Sequence, residues 1–235
     1  MKSSVSKSSK GLVKQFFGNN AKSYDKVVGL TTFGRDSHWK EEIIKRIIKC
    51  DSVLDLACGT GLLTFKIVEK FPDANITGID ITEGYLNKAK SKLKPPHKIS
   101  FLLYDAEKMN LGTKFDCIIS SYIPKYCITK ILIERCLCHL NPGGKIILHD
   151  FTYPKNKSIR LLWNLYFVIL GGIGFFVPRW KEVFHGLPHL IKYTNWVEEY
   201  KDVMEKEGLD VEVKHLTLGT SAILTGTKKI QSYFF

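Results

Sequence analysis

From Lys40 onward the chain alternates short apolar, β-branched runs with amphipathic runs of helical period, and that alternation leaves few folds open. Ser52 to Ala57 (SVLDLA) reads as a strand entering the turn Cys58-Gly59-Thr60-Gly61, and Leu62 to Phe71 as the helix that follows. Asn75 to Asp80, Ile99 to Leu103, Phe115 to Ser121 and Lys145 to Asp150 supply further strands. Helices are expected over Lys40 to Lys49, Glu83 to Leu93 and Ile128 to Leu140, and Asn141-Pro142-Gly143-Gly144 reads as a turn. Near the end, Val211 to Thr217 and Thr220 to Thr227 are separated only by Leu218-Gly219. So short a link demands an antiparallel hairpin, because a parallel crossover needs about a dozen residues. The expected fold is α/β: a doubly wound, mostly parallel seven-stranded sheet with an antiparallel last strand and a helical apolar insert (155–195) before the final hairpin.

In open sheets of this kind, ligands bind beyond the carboxyl ends of the strands, where the strand order reverses. The first such end is Asp55-Leu56-Ala57-Cys58-Gly59-Thr60-Gly61, whose small residues let the backbone turn tightly beside a ligand. Thr64 stands where a dinucleotide fingerprint needs its third glycine, and no P-loop run is present. Asp80 ends the second strand about twenty residues on, where a carboxylate accepts both ribose hydroxyls of an adenosine. Asp55 discriminates between cofactors. A carboxylate is unfavourable beside pyrophosphate and favourable beside a sulfonium or ammonium, which selects S-adenosylmethionine over NAD. Asp105-Ala106 follows the third strand and suits the adenine amino group; Ser120-Ser121 ends the fourth, near the expected methyl donor.

The 235 residues suit one large domain, and 44% hydrophobic residues are ample for its core. A formal charge of +12 fits an anionic partner, either nucleic acid or a membrane surface, and fits equally a lysine-rich solvated exterior. Six cysteines lack CxxC or zinc-site spacing, so no metal is expected and the cytoplasm is the expected compartment. Residues 1–14 are rich in Ser and Lys and read as a disordered tail, leaving 15–229 as the folded domain; a targeting segment is the alternative.

Taken together, VLDLACGTG, GID, YDAEKM, FDCIISS and LNPGGKIILHDF resemble the successive motifs of class I S-adenosylmethionine-dependent methyltransferases. More narrowly they resemble the ubiquinone/menaquinone-biosynthesis C-methyltransferase family. The upstream FFGNNAKSYDKVVGLTTFGRDSHWK and the C-terminal HLTLGTSAILTGTKK are similar to that family's ends, so the resemblance spans residues 15–229. It implies a Rossmann-like fold and cofactor contacts at Tyr24, Thr60, Asp80, Asp105, Ala106 and Ser121, beside Asp55, Gly59 and Gly61 of the turn. It also implies methylation of a ring carbon on a polyprenyl benzoquinol or naphthoquinol. One departure lies on the acceptor side: Tyr122-Ile123-Pro124-Lys125-Tyr126 stands where the family usually has Phe-Gly-apolar-Arg-Asn.

Leu161 to Val177 is almost continuously apolar, shorter than the roughly 20 residues that span a bilayer, and expected to be broken as a helix by Gly171, Gly172 and Gly174. It reads either as buried structure capping the sheet or as a lid that lines an apolar pocket or touches a membrane peripherally. Its basic flanks suit anionic headgroups. For a lipid-tailed phenolic acceptor the expected base is Asp150, acidic in the family pattern, with His149 and Tyr126 as further catalytic candidates. Consecutive strand residues face opposite ways, so only one of His149 and Asp150 is expected at the site. Tyr153, His185 and His189 rank behind them.

Other readings stay open at this level. One is a methyltransferase for a different small molecule or lipid. An RNA methyltransferase suits the charge but lacks an appended RNA-binding module and interleaved aromatics. A non-catalytic S-adenosylmethionine-binding protein is the third.

Overall fold

Seven strands form a single sheet in the order β3-β2-β1-β4-β5-β7-β6. They are β1 (Ser52–Leu56), β2 (Asn75–Asp80), β3 (Ile99–Leu103), β4 (Phe115–Ser121), β5 (Leu140–Phe151), β6 (Asp210–Leu216) and β7 (Ser221–Thr227). The computed structural model describes residues 11–13, 16–18, 20–48 and 50–230. Strands β1 to β5 pair in parallel, and β7 inserts antiparallel between β5 and β6. The doubly wound sheet with its antiparallel last strand is therefore as expected. The order reverses between β1 and β4, which places the switch point there.

The helices are α1 (Tyr24–Thr31), α2 (Arg35–Ile44), α3 (Leu62–Lys70), α4 (Glu83–Lys90), α5 (Thr129–Cys138), α6 (Lys157–Gly174), α7 (Pro178–Tyr193) and α8 (Trp196–Lys206). Strand alternation sorts the core into two layers. Val53, Ile119, Ile147 and Ile223 pack under α2 and α3 with Trp39, Ile43 and Ile67. Leu54, Leu56, Ile118 and Leu148 pack on the other face with Leu132 of α5 and Trp196 and Tyr200 of α8. A third cluster lies outside the sheet, where Phe16 meets Leu170 of α6 and Trp180, Val183 and Phe184 of α7.

Three local expectations need correction. The helix expected over Lys40 to Lys49 begins earlier, at Arg35, because Gly34 takes a left-handed conformation (φ 74°) and starts it there. Asn141 to Gly144 does not separate two elements. It lies within β5 as an irregularity: Phe115 pairs with Leu140 and Cys117 with Lys145, so β5 carries extra residues that β4 does not match. Gly171, Gly172 and Gly174 do not break the insert; all three are helical in α6. A Cβ on Gly171 would sit 3.3 Å from the His185 ring and one on Gly174 would sit 3.2 Å from Lys181 Cα, so these two glycines let α7 approach α6 closely. Of the expected N-terminal tail, residues 1–10 and 14 lie outside the described residues. Gly11 to Val13 are helical, and Leu12 packs against the third cluster.

Candidate active site

The carboxyl ends of β1, β2, β3 and β4 converge on one cavity of about 110 Å³. Gly59 comes from the turn after β1, Asp80 from the end of β2, Asp105 and Ala106 from the turn after β3, and Ser121 from the end of β4. Sequence spacing anticipated all five. Tyr24 closes the cavity from α1, together with Phe17, and stands 5.1 Å ring to ring from Tyr85 of α4.

Two strand ends beside this cavity are strained. Ala57 has φ 53° and Tyr122 has φ 80°, conformations that a side chain other than glycine rarely adopts and that cluster at ligand sites. The Tyr122 hydroxyl donates to Asp36 Oδ1 at 2.7 Å, which holds the ring in place.

Asp80 is nearly buried. Its Oδ2 accepts from the Gly59 amide at 2.9 Å and its Oδ1 from the Thr82 amide at 2.8 Å. Burial pushes its carboxyl up from the usual value, against those backbone bonds. A carboxylate offers about four acceptor positions, so Asp80 has capacity to accept from a ribose as well. Asp105 Oδ1 accepts from the Glu107 amide at 3.0 Å, capping the short turn that carries Ala106. Tyr85 Oη is buried beside the cavity with no hydrogen-bond partner among the described residues, as expected of a wall meant for a polar ligand.

A narrow recess continues the cavity past Gly59 and Ser121, and its walls include Asp55, Thr60 and Lys40. Asp55 lies on the α3 side of β1, where Thr64 donates to its Oδ2 at 2.6 Å. Burial pushes its carboxyl up to about 7, opposed by the Thr64 bond and by the Lys40 ammonium. Lys40 is itself buried and ion-paired with Asp36. The recess thus shows the Lys40 ammonium and, at Asp55, a carboxyl that a nearby cation would ionise, which suits a zwitterionic amino-acid end.

Thr60 walls the recess and also ties elements together, whereas Gly61 lines neither space. Thr60 Oγ1 donates to Asp25 Oδ1 at 2.5 Å, and Lys92 Nζ bridges Asp25 Oδ2 at 2.6 Å and the Thr60 carbonyl at 3.0 Å. Its side chain therefore fastens α1 over the turn. Gly61 takes φ 81° at the start of α3, and a Cβ there would stand 2.7 Å from the Phe65 ring. The left-handed backbone and the nearby Phe65 ring both favour glycine here.

Beyond Tyr122 and Tyr126 a second, larger cavity of about 620 Å³ opens under the insert. It shares Phe17, Tyr24, Tyr122 and Tyr126 with the first. Its far walls are apolar, from Trp163, Phe167 and Leu170 of α6 and Val183, Phe184 and Leu187 of α7. Tyr126 Oη is buried at the junction without a partner among the described residues. Burial holds Tyr126 and Tyr24 well above the usual phenol value, so both stay neutral donors.

Neither His149 nor Asp150 reaches these cavities. His149 lies fully buried on the Trp39 side of β5, its Nδ1 2.9 Å from Ser121 Oγ and its Nε2 2.7 Å from Ser221 Oγ. Burial holds its imidazolium well below the usual value, so the ring is neutral and structural. Asp150 points to the other face and forms an ion pair with Lys125, and its Oδ1 accepts from the Phe151 amide at 2.7 Å. Lys125 is the member of that pair that lines the larger cavity. The sequence reading noted Lys125 only as a departure from a family pattern. It also missed Phe17 and Tyr85, although Tyr85 stands in the first turn of α4, five residues after Asp80.

S-adenosylmethionine fits this arrangement: an acceptor pair for ribose at Asp80, polar edges at Asp105 and Tyr85, and a charged recess for the methionine end. Comparison with known proteins agrees. The ubiE/COQ5 methyltransferase family matches residues 3–228. The chain is 26% identical over 233 residues to a demethylmenaquinone methyltransferase of Staphylococcus aureus, covering 95% of both. It is 24% identical over 225 residues to one of Bacteroides fragilis, covering 92% of both. In fold it is similar to the magnesium protoporphyrin IX methyltransferase of Synechocystis PCC 6803 with bound SAH, with a TM-score of 0.67 and 16% identity over 94% of this chain and 100% of that one. The plantazolicin methyltransferase in complex with SAH gives a TM-score of 0.64 at 12% identity, over 94% of this chain and 96% of that one. With the switch-point cavity, its acidic strand ends and a family match over nearly its whole length, the chain is an S-adenosylmethionine-dependent methyltransferase and belongs to the ubiE/COQ5 methyltransferase family.

Proposed function

We propose that the chain methylates a ring carbon of a polyprenyl benzoquinol or naphthoquinol. The observation that carries this reading is the large apolar cavity joined to the cofactor cavity through Tyr24, Tyr122 and Tyr126. A quinol ring fits the polar junction and a prenyl tail fits the apolar walls. The name borne by the relatives, demethylmenaquinone methyltransferase, supports a naphthoquinol over a benzoquinol.

S-adenosylmethionine, held at Asp80, Asp105 and the recess, would supply an electrophilic methyl group. The protein's task is to hold the ring carbon in line, keep water out and stabilise negative charge on the ring oxygen. Lys125 is suited to the last of these. Its ammonium is almost wholly buried among the Tyr122, Tyr126 and Phe151 rings, 4.7 Å from the Tyr126 centroid. Burial pushes Lys125 down from the usual lysine value, and Asp150 opposes that by favouring the charged form. Asp150 thus acts through Lys125 as a positioning residue. Tyr126 offers its free hydroxyl to the same ring oxygen or its neighbour.

The test is transfer of labelled methyl from S-adenosylmethionine to a short-tailed demethylmenaquinol, with the product located by mass spectrometry and NMR. Label on a ring carbon supports the reading. Label that enters only other lipids of a cell extract, with none on any quinol, rejects it.

A further inference from the structure

Past its first turn, α6 exposes Leu161, Leu162, Leu165, Val168, Ile169 and Ile173, and no polar side chain. Its other side, with Trp163, Leu170 and Gly174, is buried against α7. A helix in water normally turns charged and polar residues outward; one that is apolar on every side needs a second apolar surface. The connection to α7 continues the face, with Phe176 88% exposed. So many apolar side chains in contact on a surface mark an interaction site.

The mouth of the larger cavity opens onto the same face. Leu162 of α6 lines it, as do Phe33 of the α1–α2 turn and Leu218 of the β6–β7 turn. Phe33 and Leu218 are mostly exposed, and each is held at positive φ, 51° and 58°. Keeping large apolar side chains exposed in strained backbone costs stability and calls for a use. The Phe33 ring lies 5.7 Å from the Tyr166 ring of α6, so rim and helix form one surface.

Charge identifies what covers it. Between residues 155 and 195 the chain has Lys155, Lys157, Arg160, Arg179, Lys181 and Lys192 against a single acidic residue, Glu182. Lys157 stands at the amino end of α6, and Arg179 and Lys181 lie just past its carboxyl end, so cations flank both ends of the apolar face. Lys155 pairs with Glu198, and Arg160 and Lys192 lie over the Tyr153 ring. A second copy meeting it across a two-fold axis would bring like charges together. An anionic lipid surface meets both features, with headgroups on the basic flanks and acyl chains on the apolar face. No helix among the described residues is long and apolar enough to cross a membrane, so contact here is peripheral.

We propose that the outer face of α6, with Phe175, Phe176 and the rim residues Phe33 and Leu218, docks on an anionic bilayer and turns the cavity mouth toward the lipid. Exposure and charge carry this independently of the acceptor's identity. The experiment is flotation of the full chain with phosphatidylcholine vesicles, with and without phosphatidylglycerol. The variants are Val168→Asp/Phe176→Asp and Lys157→Glu/Lys181→Glu, all at exposed positions whose change leaves the core intact. The protein should float with the anionic vesicles, and each double variant should weaken that binding by roughly tenfold or more with the melting temperature unchanged. Failure to bind anionic vesicles overturns the proposal. So does binding that Val168→Asp/Phe176→Asp leaves unchanged, which is charge adsorption alone. A dimer that this variant converts to monomer would assign the face to self-association and also overturn it.

Discussion

Lys125 is seated on Asp150 with the two side chains 2% and 0% exposed, a closed ion pair in the wall between sheet and larger cavity. Removing one partner from such a pair leaves a charge buried alone, at a cost of roughly 3–5 kcal/mol, whereas replacing both with apolar groups is often neutral. The pair therefore separates stability from chemistry.

Lys125→Met should lower both melting temperature and turnover. Lys125→Met/Asp150→Leu should recover most of the melting temperature and none of the turnover, because no cation is left beside the ring oxygen. Thermal unfolding and kcat on the same preparations check this. Recovery of both in the double variant would leave Lys125 a structural residue.

At the turn after β1, two substitutions should fail for different reasons. Asp80→Ala removes the ribose acceptor and frees the Gly59 amide, so calorimetry should find cofactor affinity sharply reduced in a folded protein. Gly61→Val forces a branched side chain into φ 81° and toward Phe65, and should cost roughly 1–3 kcal/mol of stability. A Gly61→Val protein of unchanged melting temperature that no longer binds cofactor would reverse the packing role assigned to Gly61.

Asp55 should give the cofactor site a pH dependence. Its carboxyl is raised from 3.8 to about 7 by burial, so the folded state without cofactor favours the protonated form. The stability this contributes is fully present below the unfolded value and is lost as pH rises through about 7. A cationic ligand end reverses the preference, since it favours the ionised carboxylate. Affinity for S-adenosylmethionine should rise as pH increases toward 7, with proton release on binding at about pH 6. Calorimetry in buffers of different ionisation enthalpy measures that release, which Asp55→Asn should abolish. Equal release in wild type and variant would remove Asp55 from the linkage.

These residues also show which parts of the site a sequence can disclose. Asp80, Asp105 and Ser121 were legible because Asp80 and Ser121 end strands and Asp105 stands in the turn just past one, and a parallel sheet brings strand ends together whatever else the chain does. Their chemistry follows from position along one element. Lys125 and Asp150 are 25 residues apart and meet only through the β4–β5 pairing, and Asp25 meets Thr60 and Lys92 across 35 and 67 residues. No local pattern encodes such contacts. The alternation rule did hold at His149 and Asp150, which face opposite sides of the sheet. It could not say that both sides are packed at that point, by Trp39 on one and Lys125 on the other. Gly171 and Gly174 were misread because glycine opposes helix formation locally, while the approach of α7 rewards it in three dimensions.

The last prediction concerns the tail. Within the apolar segment 161–177, read from the sequence as a candidate pocket lining, Phe175 and Phe176 are exposed and neither lines the larger cavity. Phe167 and Leu187 do line it, from α6 and α7. A buried methylene is worth roughly 0.8 kcal/mol, about fourfold in affinity, so contacts along even one isoprene unit dominate acceptor binding. Phe167→Ala/Leu187→Ala should therefore raise KM for a tailed quinol by roughly tenfold or more and leave KM for a tailless analogue nearly unchanged. The kcat for either acceptor should change little, because the junction at Tyr122, Lys125 and Tyr126 is untouched. Cofactor affinity should hold, since neither side chain lines the smaller cavity. Steady-state kinetics on the two acceptors decides the matter. An equal rise in KM for both would mean that the cavity walls shape the ring site, and that the tail lies elsewhere.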